Sequence, residues 1–164
     1  MSQTPVVAIV MGSRTDFDLM RPAKVVLEQL GVPAQVRVIS AHRTPERALE
    51  LAQGAKVAGL KVLICGAGGA AHLAGVIAAH TMLPVIGVPL GRSLGGLDSL
   101  YATVQMPPGV PVATVGIDAA HNAGLLAAQI LAQSDAKLAD RLLAHRDRMR
   151  AEVEAADRDV RERS

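Results

Sequence analysis

The chain has 164 residues, about the size of one domain, and can bury roughly two-thirds of its unfolded surface in a single core. Its 17 Lys and Arg against 15 Asp and Glu leave a net charge of +2, which gives no indication of a nucleic-acid partner. Half of the residues are hydrophobic, yet Phe17 and Tyr101 are the only aromatic residues, so Ala, Val, Leu and Ile must build the core.

The sequence indicates neither a membrane span nor a disulfide framework. No apolar stretch approaches the ~20 residues that a transmembrane helix needs, and the first strand-like segment follows the N-terminal residues directly. We therefore expect a cytoplasmic protein. The single cysteine, Cys65, ends an apolar run, which predicts a buried strand thiol and leaves no cysteine-based zinc site.

Five short apolar runs alternate with helical segments along the chain. This alternation predicts right-handed βαβ crossovers and a mainly parallel, doubly wound sheet, which is an α/β fold. The predicted strands are residues 6–11, 36–39, 62–65, 84–88 and 112–117.

Capping residues predict where the first helices begin. Thr15 or Asp16 can cap a helix that runs to about Leu30, where a glycine and a proline then close it. Thr44 can cap the second helix, with Pro45 at its first position.

Later helices are predicted from weaker signals. A third should begin within residues 66–71 and another near Asn122, while residues 98–99 resemble a transition from loop to helix. Ser134 and Asp135 mark the start of the last helix.

This last helix carries one stripe of apolar or near-neutral residues spaced by threes and fours. Beyond about Arg146 it is rich in charge and should project from the domain. Two interpretations are open: the stripe packs on a neighbouring subunit, or the final ~10 residues form a solvated, frayed tail. The stripe consists of Leu138, Leu142, His145, Met149, Val153, Ala156 and Val160.

Polar segments follow three of the predicted strands. In a doubly wound sheet, ligands bind beyond the carboxyl ends of the strands, where the strand order reverses. We therefore expect one site built from MGSRTD at residues 11–16, SAHRTP at 40–45 and GAGGAAH at 66–72.

The first segment combines a glycine turn, a hydroxyl group and a helix N-terminus, which suit a phosphate. Ser13 can donate to the phosphate, and Asp16 can accept from ribose hydroxyls. Both residues can equally be turn and cap residues without a ligand.

The second segment crowds Ser40, His42 and Arg43 between a strand and a helix. The guanidinium fork of Arg43 suits a phosphate, and His42 can give and take a proton near neutral pH. These properties predict a functional role for His42.

The third segment contains a loose dinucleotide pattern at Gly66, Gly68 and Ala71, but no acidic residue ends the following strand as that site requires. Its small residues can instead let a ligand carboxylate approach the backbone. His72 is either in or behind this site, or a packing residue.

Other candidates are less convincing. His80, His121 and His145 stand alone, without the spacing of metal ligands, and are expected to be packing or surface residues. No Gly-x-x-x-x-Gly-Lys motif indicates an ATPase.

Taken together, these motifs resemble the bacterial (class I) branch of the aminoimidazole ribonucleotide carboxylase family. The resemblance extends in order to about residue 133. The matching segments are MGSRTD, SAHRTP, GAGGAAHL at 66–73, LPVIGVP at 83–89, DSLYATVQMPPGVPVAT at 98–114 and NAGLLAAQIL at 122–131.

The resemblance implies a three-layer, flavodoxin-like fold with a five-stranded parallel sheet and a projecting C-terminal helix, about residues 135–160. It implies a homo-octamer with active sites between subunits, and neither a metal nor an organic cofactor. The implied activity is an isomerisation in de novo purine (IMP) synthesis, in which a carboxylate moves from nitrogen to carbon on an aminoimidazole ribonucleotide.

The resemblance also assigns residues to this reaction. His42 is implied as the acid and base, the MGS loop with Asp16 and Arg43 as the holder of the ribose phosphate, and GAGGAAH as the surroundings of the migrating carboxylate. The implied substrate-binding set is Gly12, Ser13, Asp16, Ser40, Ala41, Arg43, Ala67, Gly68, His72 and Leu73.

The chain departs from the family pattern at three places. Ala74 stands where the family usually has proline, the loop 90–96 is one residue shorter than usual, and residues 116–121 are abbreviated. The first two departures are expected to border the site.

Other functions remain open at this point. One is a related carboxylase acting on a pyridinium dinucleotide, and another is a non-catalytic nucleotide-binding module that uses the loop at Gly66. The eukaryote-like class, which fixes free CO₂, fits less well, because it tends to have Lys after the His of the SAH motif and lacks GAGGAAH.

Overall fold

Five parallel strands form one sheet in the computed structural model, which describes residues 4–163. The strands are β1 (Val7–Met11), β2 (Ala34–Val38), β3 (Val62–Gly68), β4 (Val85–Leu90) and β5 (Ala113–Thr114). Their order in the sheet is β2-β1-β3-β4-β5, the flavodoxin-like order, which reverses between β1 and β3. The predicted α/β, doubly wound fold is therefore confirmed.

Within residues 4–163 the α-helices are α1 (Phe17–Gln29), α2 (Pro45–Gly54), α3 (Leu73–Ala78), α4 (Leu97–Val104), α5 (Ala120–Ala132) and α6 (Ala136–Glu162). Helices α1 and α5 pack on one face of the sheet and α2 and α3 on the other, which completes three layers, while α6 packs on α5. Alternate residues of β1 point to opposite faces, so Ile9 packs with α1 and α5 while Val10 packs with α2 and α3.

Small side chains let neighbouring helices on one face of the sheet approach closely. Gly124 of α5 lies so near α1 that a Cβ atom there would be 2.9 Å from the carbonyl oxygen of Ala23. Cys65 is buried in β3 as predicted, and burial raises the pKa of its thiol to about 12.

The start of the third helix was wrongly predicted. Gly66, Ala67 and Gly68 continue β3, because they pair with Val88, Pro89 and Leu90 of β4, and α3 begins only at Leu73. The glycines resemble a loop in sequence but occupy a paired strand.

Other strand boundaries also differ from the prediction, by one to three residues. β2 begins at Ala34, two residues earlier than predicted, since Ala34 pairs with Val7. β5 has only two residues, because the chain turns away from the sheet near Gly116 and Asp118, whose φ is +55°.

The last helix begins as predicted, with the carboxylate of Asp135 accepting a hydrogen bond from the Leu138 N–H at 3.0 Å. It remains helical to Glu162, and its residues beyond Arg146 are exposed in the single chain. Within residues 4–163, no helix has both the length and the apolar character that a bilayer span requires. Residues 1–3 and 164, which the predicted domain includes, lie outside the described residues.

Candidate active site

A cavity of about 640 Å³ opens at the carboxyl ends of the strands, where the order reverses between β1 and β3. Each of the predicted site residues lines it, so the structure brings the three polar segments together. The lining residues are Gly12, Ser13, Thr15, Asp16, Ser40, Ala41, His42, Arg43, Ala67, Gly68, Gly69, Ala71, His72, Leu73, Arg92 and Ser93.

The first wall is the turn between β1 and α1. The Ser13 hydroxyl oxygen accepts hydrogen bonds from the Thr15 N–H at 3.3 Å and from the Thr15 hydroxyl at 2.9 Å. Gly12 leaves open space, because a Cβ atom there would meet nothing within 4 Å. This geometry leaves room for a ligand group beside the turn.

Neither Thr15 nor Asp16 caps α1 through its side chain, although Asp16 occupies the N-cap position. The cap prediction was wrong because Ser13 already serves the Thr15 N–H, and the buried Asp16 carboxylate pairs with Arg92 instead.

The second wall is the segment between β2 and α2. The Arg43 guanidinium donates to the Gly12 carbonyl at 2.7 Å and to the Ser40 hydroxyl at 3.4 Å, so it joins this segment to the first wall. Thr44 occupies the N-cap position of α2, but its hydroxyl exchanges hydrogen bonds with the Ser40 main chain, so its predicted side-chain cap is absent.

His42 and His72 meet across the cavity. Nε2 of His42 lies 2.7 Å from Nδ1 of His72, and the rings stand edge to face with their planes 80° apart. One of these two nitrogens must carry the shared hydrogen. His72 therefore lies in the cavity and in direct contact with His42, which sequence spacing alone left open.

The glycines of the third segment have packing reasons of their own. A Cβ atom on Gly66 would overlap the side chain of Met20, and one on Gly68 would lie 2.7 Å from Cγ of Arg92. Gly69 and Ala71 then turn the chain toward α3 with φ values of +62° and +45°.

Arg92 and Ser93 were not named by the sequence reasoning, which expected only that their loop, residues 90–96, borders the site. They follow β4 directly, so the rule that gathered the other three segments would have found them. Arg92 pairs with Asp16, and the Ser93 hydroxyl donates to the Asp98 carboxylate. This bond, with a second from the Ser99 N–H, lowers the pKa of Asp98.

The three departures from the family pattern have distinct places. Ala74 is buried in the core beneath β4, whereas the loop 90–96 supplies Arg92 and Ser93 to the cavity. This loop contacts the other abbreviated segment, since the Gly91 N–H donates to the Asp118 carboxylate at 2.9 Å.

Two of the histidines predicted to stand alone do not. The ring centroids of His121 and His145 are 6.1 Å apart, because α5 and α6 pack side by side. A cleft of about 600 Å³ lies between these helices, and Nε2 of His145 is buried there without a hydrogen-bond partner among the described residues. Among residues 4–163, no group of three or more His, Cys, Asp or Glu could hold a metal ion.

Comparisons with known proteins agree with this geometry. Residues 6–152 match the family described as AIR carboxylase. The N5-carboxyaminoimidazole ribonucleotide mutase of Pyrococcus horikoshii is 52% identical over 154 residues, covering 93% of this chain and 87% of that protein. That of Haemophilus influenzae is 55% identical over 150 residues, covering 90% and 92% respectively.

Solved structures show the same architecture. Treponema denticola PurE superposes with a TM-score of 0.86 at 27% identity, covering 94% of this chain and 98% of that one. A variant of Treponema denticola PurE2 gives a TM-score of 0.87 at 26% identity, with 96% and 98% covered.

Proposed function

This chain belongs to the AIR carboxylase family, and we propose that it is an isomerase of de novo purine (IMP) biosynthesis. It converts N5-carboxyaminoimidazole ribonucleotide to 4-carboxy-5-aminoimidazole ribonucleotide. The observation that carries this proposal is the identity, over nearly the whole chain, to curated mutases named for that substrate.

The turn at Gly12 and Ser13 is proposed to hold the phosphate of the nucleotide, together with Arg43. The Ser13 hydroxyl can supply a donor, while the Arg43 guanidinium supplies charge beside it. Asp16, at the next turn, is proposed to accept from a ribose hydroxyl.

His42 is proposed as the acid and base. When CO₂ leaves the exocyclic nitrogen, that nitrogen takes a proton, and when CO₂ bonds to the ring carbon, that carbon loses one. A protonated His42 can supply the first proton and take back the second, which returns the His42 side chain to its starting protonation state. These steps require neither a metal ion nor an organic cofactor.

The free CO₂ must stay in the cavity between the two steps. The backbone of Ala67 and Gly68 lines the cavity without bulky side chains, which suits close approach of a small carboxylate. The rest of the proposed binding set lies around this wall: Ser40, Ala41, His72 and Leu73.

An assembly of several subunits would complete the enclosure. His42 is exposed in the single chain, although the intermediate CO₂ needs a closed site. Large apolar side chains are exposed elsewhere, including Met82 at 99% and, on α6, Val153 at 70%. We therefore propose the homo-octamer, with the α6 stripe in subunit contacts.

Light scattering tests the assembly, and an octamer is expected. A monomer at micromolar concentration would contradict active sites shared between subunits.

The proposal also includes a cytoplasmic location, because a phosphorylated intermediate of this pathway does not cross membranes; fractionation of cells that produce the protein checks this.

Isotope transfer tests the reaction. Freshly made N5-carboxyaminoimidazole ribonucleotide, labelled with ¹³C in its carboxylate, is mixed with the protein in unlabelled bicarbonate without ATP. The label is expected in the carbon-carboxylated product during the first turnovers. Unlabelled product formed only from aminoimidazole ribonucleotide and bicarbonate would indicate a carboxylase that uses free CO₂.

Calorimetry with NAD distinguishes the mutase from the alternative of a non-catalytic nucleotide-binding module. A nucleotide-binding module using the segment at Gly66 would bind NAD tightly, and the binding would not depend on His42. The mutase is expected to show no such binding.

A further inference from the structure

Arg92 makes the ion pair that holds a buried carboxylate of the site. Its Nε and Nη2 atoms lie 3.1 and 3.0 Å from Oδ1 of Asp16, and Nη2 also donates to the Thr15 carbonyl. Asp16 is only 6% exposed, so its charge needs a partner, and among residues 4–163 Arg92 is the only cation paired with it.

The structure leaves space for the Arg92 side chain next to Gly68. A Cβ atom on Gly68 would lie 2.7 Å from Cγ of Arg92, so this glycine leaves the space that the arginine stem fills. At the base of the loop, Asp118 accepts from the Gly91 N–H and the Ser99 hydroxyl donates to the Leu90 carbonyl, both at 2.9 Å. These two bonds fix the start of the loop, next to Arg92.

Two arginines hold the turn between β1 and α1 from opposite ends. Arg43 donates to the Gly12 carbonyl, and Arg92 donates to the Thr15 carbonyl and to Asp16. Both bonds from Arg92 reach Oδ1 of Asp16, and no described residue bonds to Oδ2. Oδ2 is left to accept a hydrogen bond from a ligand in the cavity.

We propose that Arg92 is a positioning residue for substrate binding: it fixes the ionised Asp16 carboxylate so that Oδ2 accepts from a ribose hydroxyl. The role rests on the proposed mutase function. Arg92 acts through Asp16, at a part of the nucleotide remote from the reacting atoms. Its contribution is therefore similar in the ground state and the transition state, and appears in KM.

Steady-state kinetics of a double-mutant cycle test this role. Arg92→Ala is expected to raise KM by about tenfold with kcat nearly unchanged, as is typical for loss of a charge-assisted hydrogen bond. Asp16→Asn is expected to raise KM similarly, and the double variant should be no worse than the weaker-binding single variant. Arg92→Lys keeps the positive charge but loses the guanidinium fork, so its KM should lie between those of the wild type and Arg92→Ala.

Arg141→Ala is the matched control. Arg141 also donates from a guanidinium to a main-chain carbonyl, that of Leu30 at 2.7 Å, but at the opposite end of the sheet. The Arg141→Ala variant should have a lower thermal midpoint of unfolding and an unchanged KM.

An unchanged KM in Arg92→Ala would overturn the positioning role. A double variant whose KM rises by the product of the two single effects would also overturn it, because Arg92 would then act independently of Asp16. If Arg92→Ala does not fold, an unchanged KM in Arg92→Lys is decisive in the same way. Absence of turnover in the wild type would instead refute the proposed mutase function.

Discussion

Replacing Gly124 by alanine should destabilise the protein, because this glycine sets the separation of α1 and α5. A Cβ atom there would lie 2.9 Å from the carbonyl oxygen of Ala23, 3.2 Å from its Cα, and still closer to Cγ1 of Val26. Carbon atoms pack best at about 3.5–4.0 Å. Val26 is buried and is stiff in a helix, so the two helices must move apart.

The expected cost combines two opposite terms. Overpacking of this kind costs about 1–3 kcal/mol or more, while Gly→Ala inside a helix returns about 0.5–1 kcal/mol. We expect a net loss of about 1 kcal/mol, which corresponds to a fall in Tm of about 2–4 °C for a chain of this size.

Gly54→Ala is the matched control, since Gly54 ends α2 and a Cβ atom there would meet nothing within 4 Å. It should raise the free energy of unfolding by up to about 1 kcal/mol. Differential scanning calorimetry of both variants measures the contrast. A Gly124→Ala variant at least as stable as the wild type would refute the close packing of α1 on α5.

Three further outcomes are expected. Arg43→Ala should raise KM far more than it lowers kcat, because the phosphate does not react; initial-rate kinetics measure this, and a selective loss of kcat would contradict it. Cys65 should resist a thiol reagent at pH 8 in the native protein and react after unfolding, since burial raises its pKa to about 12; rapid native labelling would refute its place in β3. Activity should survive EDTA, and loss of turnover that a divalent ion restores would overturn the metal-free mechanism.

The location of the site could be predicted because it follows from topology. Carboxyl ends of neighbouring parallel strands meet at one edge, so polar segments after β1, β2 and β3 had to converge once those strands were recognised. The same argument applies to Arg92 after β4. Its partner Asp16, however, is 76 positions away in the chain, so no local sequence pattern predicts that ion pair.

The errors have a common physical origin in tertiary contacts. Gly66 and Gly68 have low strand propensity, yet pairing with β4 keeps them in β3, and this overrides their resemblance to a loop. Thr44 is a good cap residue by type, but its hydroxyl is already bonded to Ser40. The proximity of His121 to His145 depends on how α5 packs on α6, which residue spacing does not encode.

The most direct test of the central claim is single-turnover conversion of N5-carboxyaminoimidazole ribonucleotide by the wild type and by His42→Asn. Asparagine keeps much of the size and polarity of the side chain but cannot carry the proton, so the variant should fold, assemble and bind the nucleotide. Its rate of conversion is expected to fall by on the order of 10²–10⁴ or more. Conversion at near wild-type rate by a folded His42→Asn variant would contradict the acid and base role of His42 and direct attention to His72, which lies 2.7 Å from it.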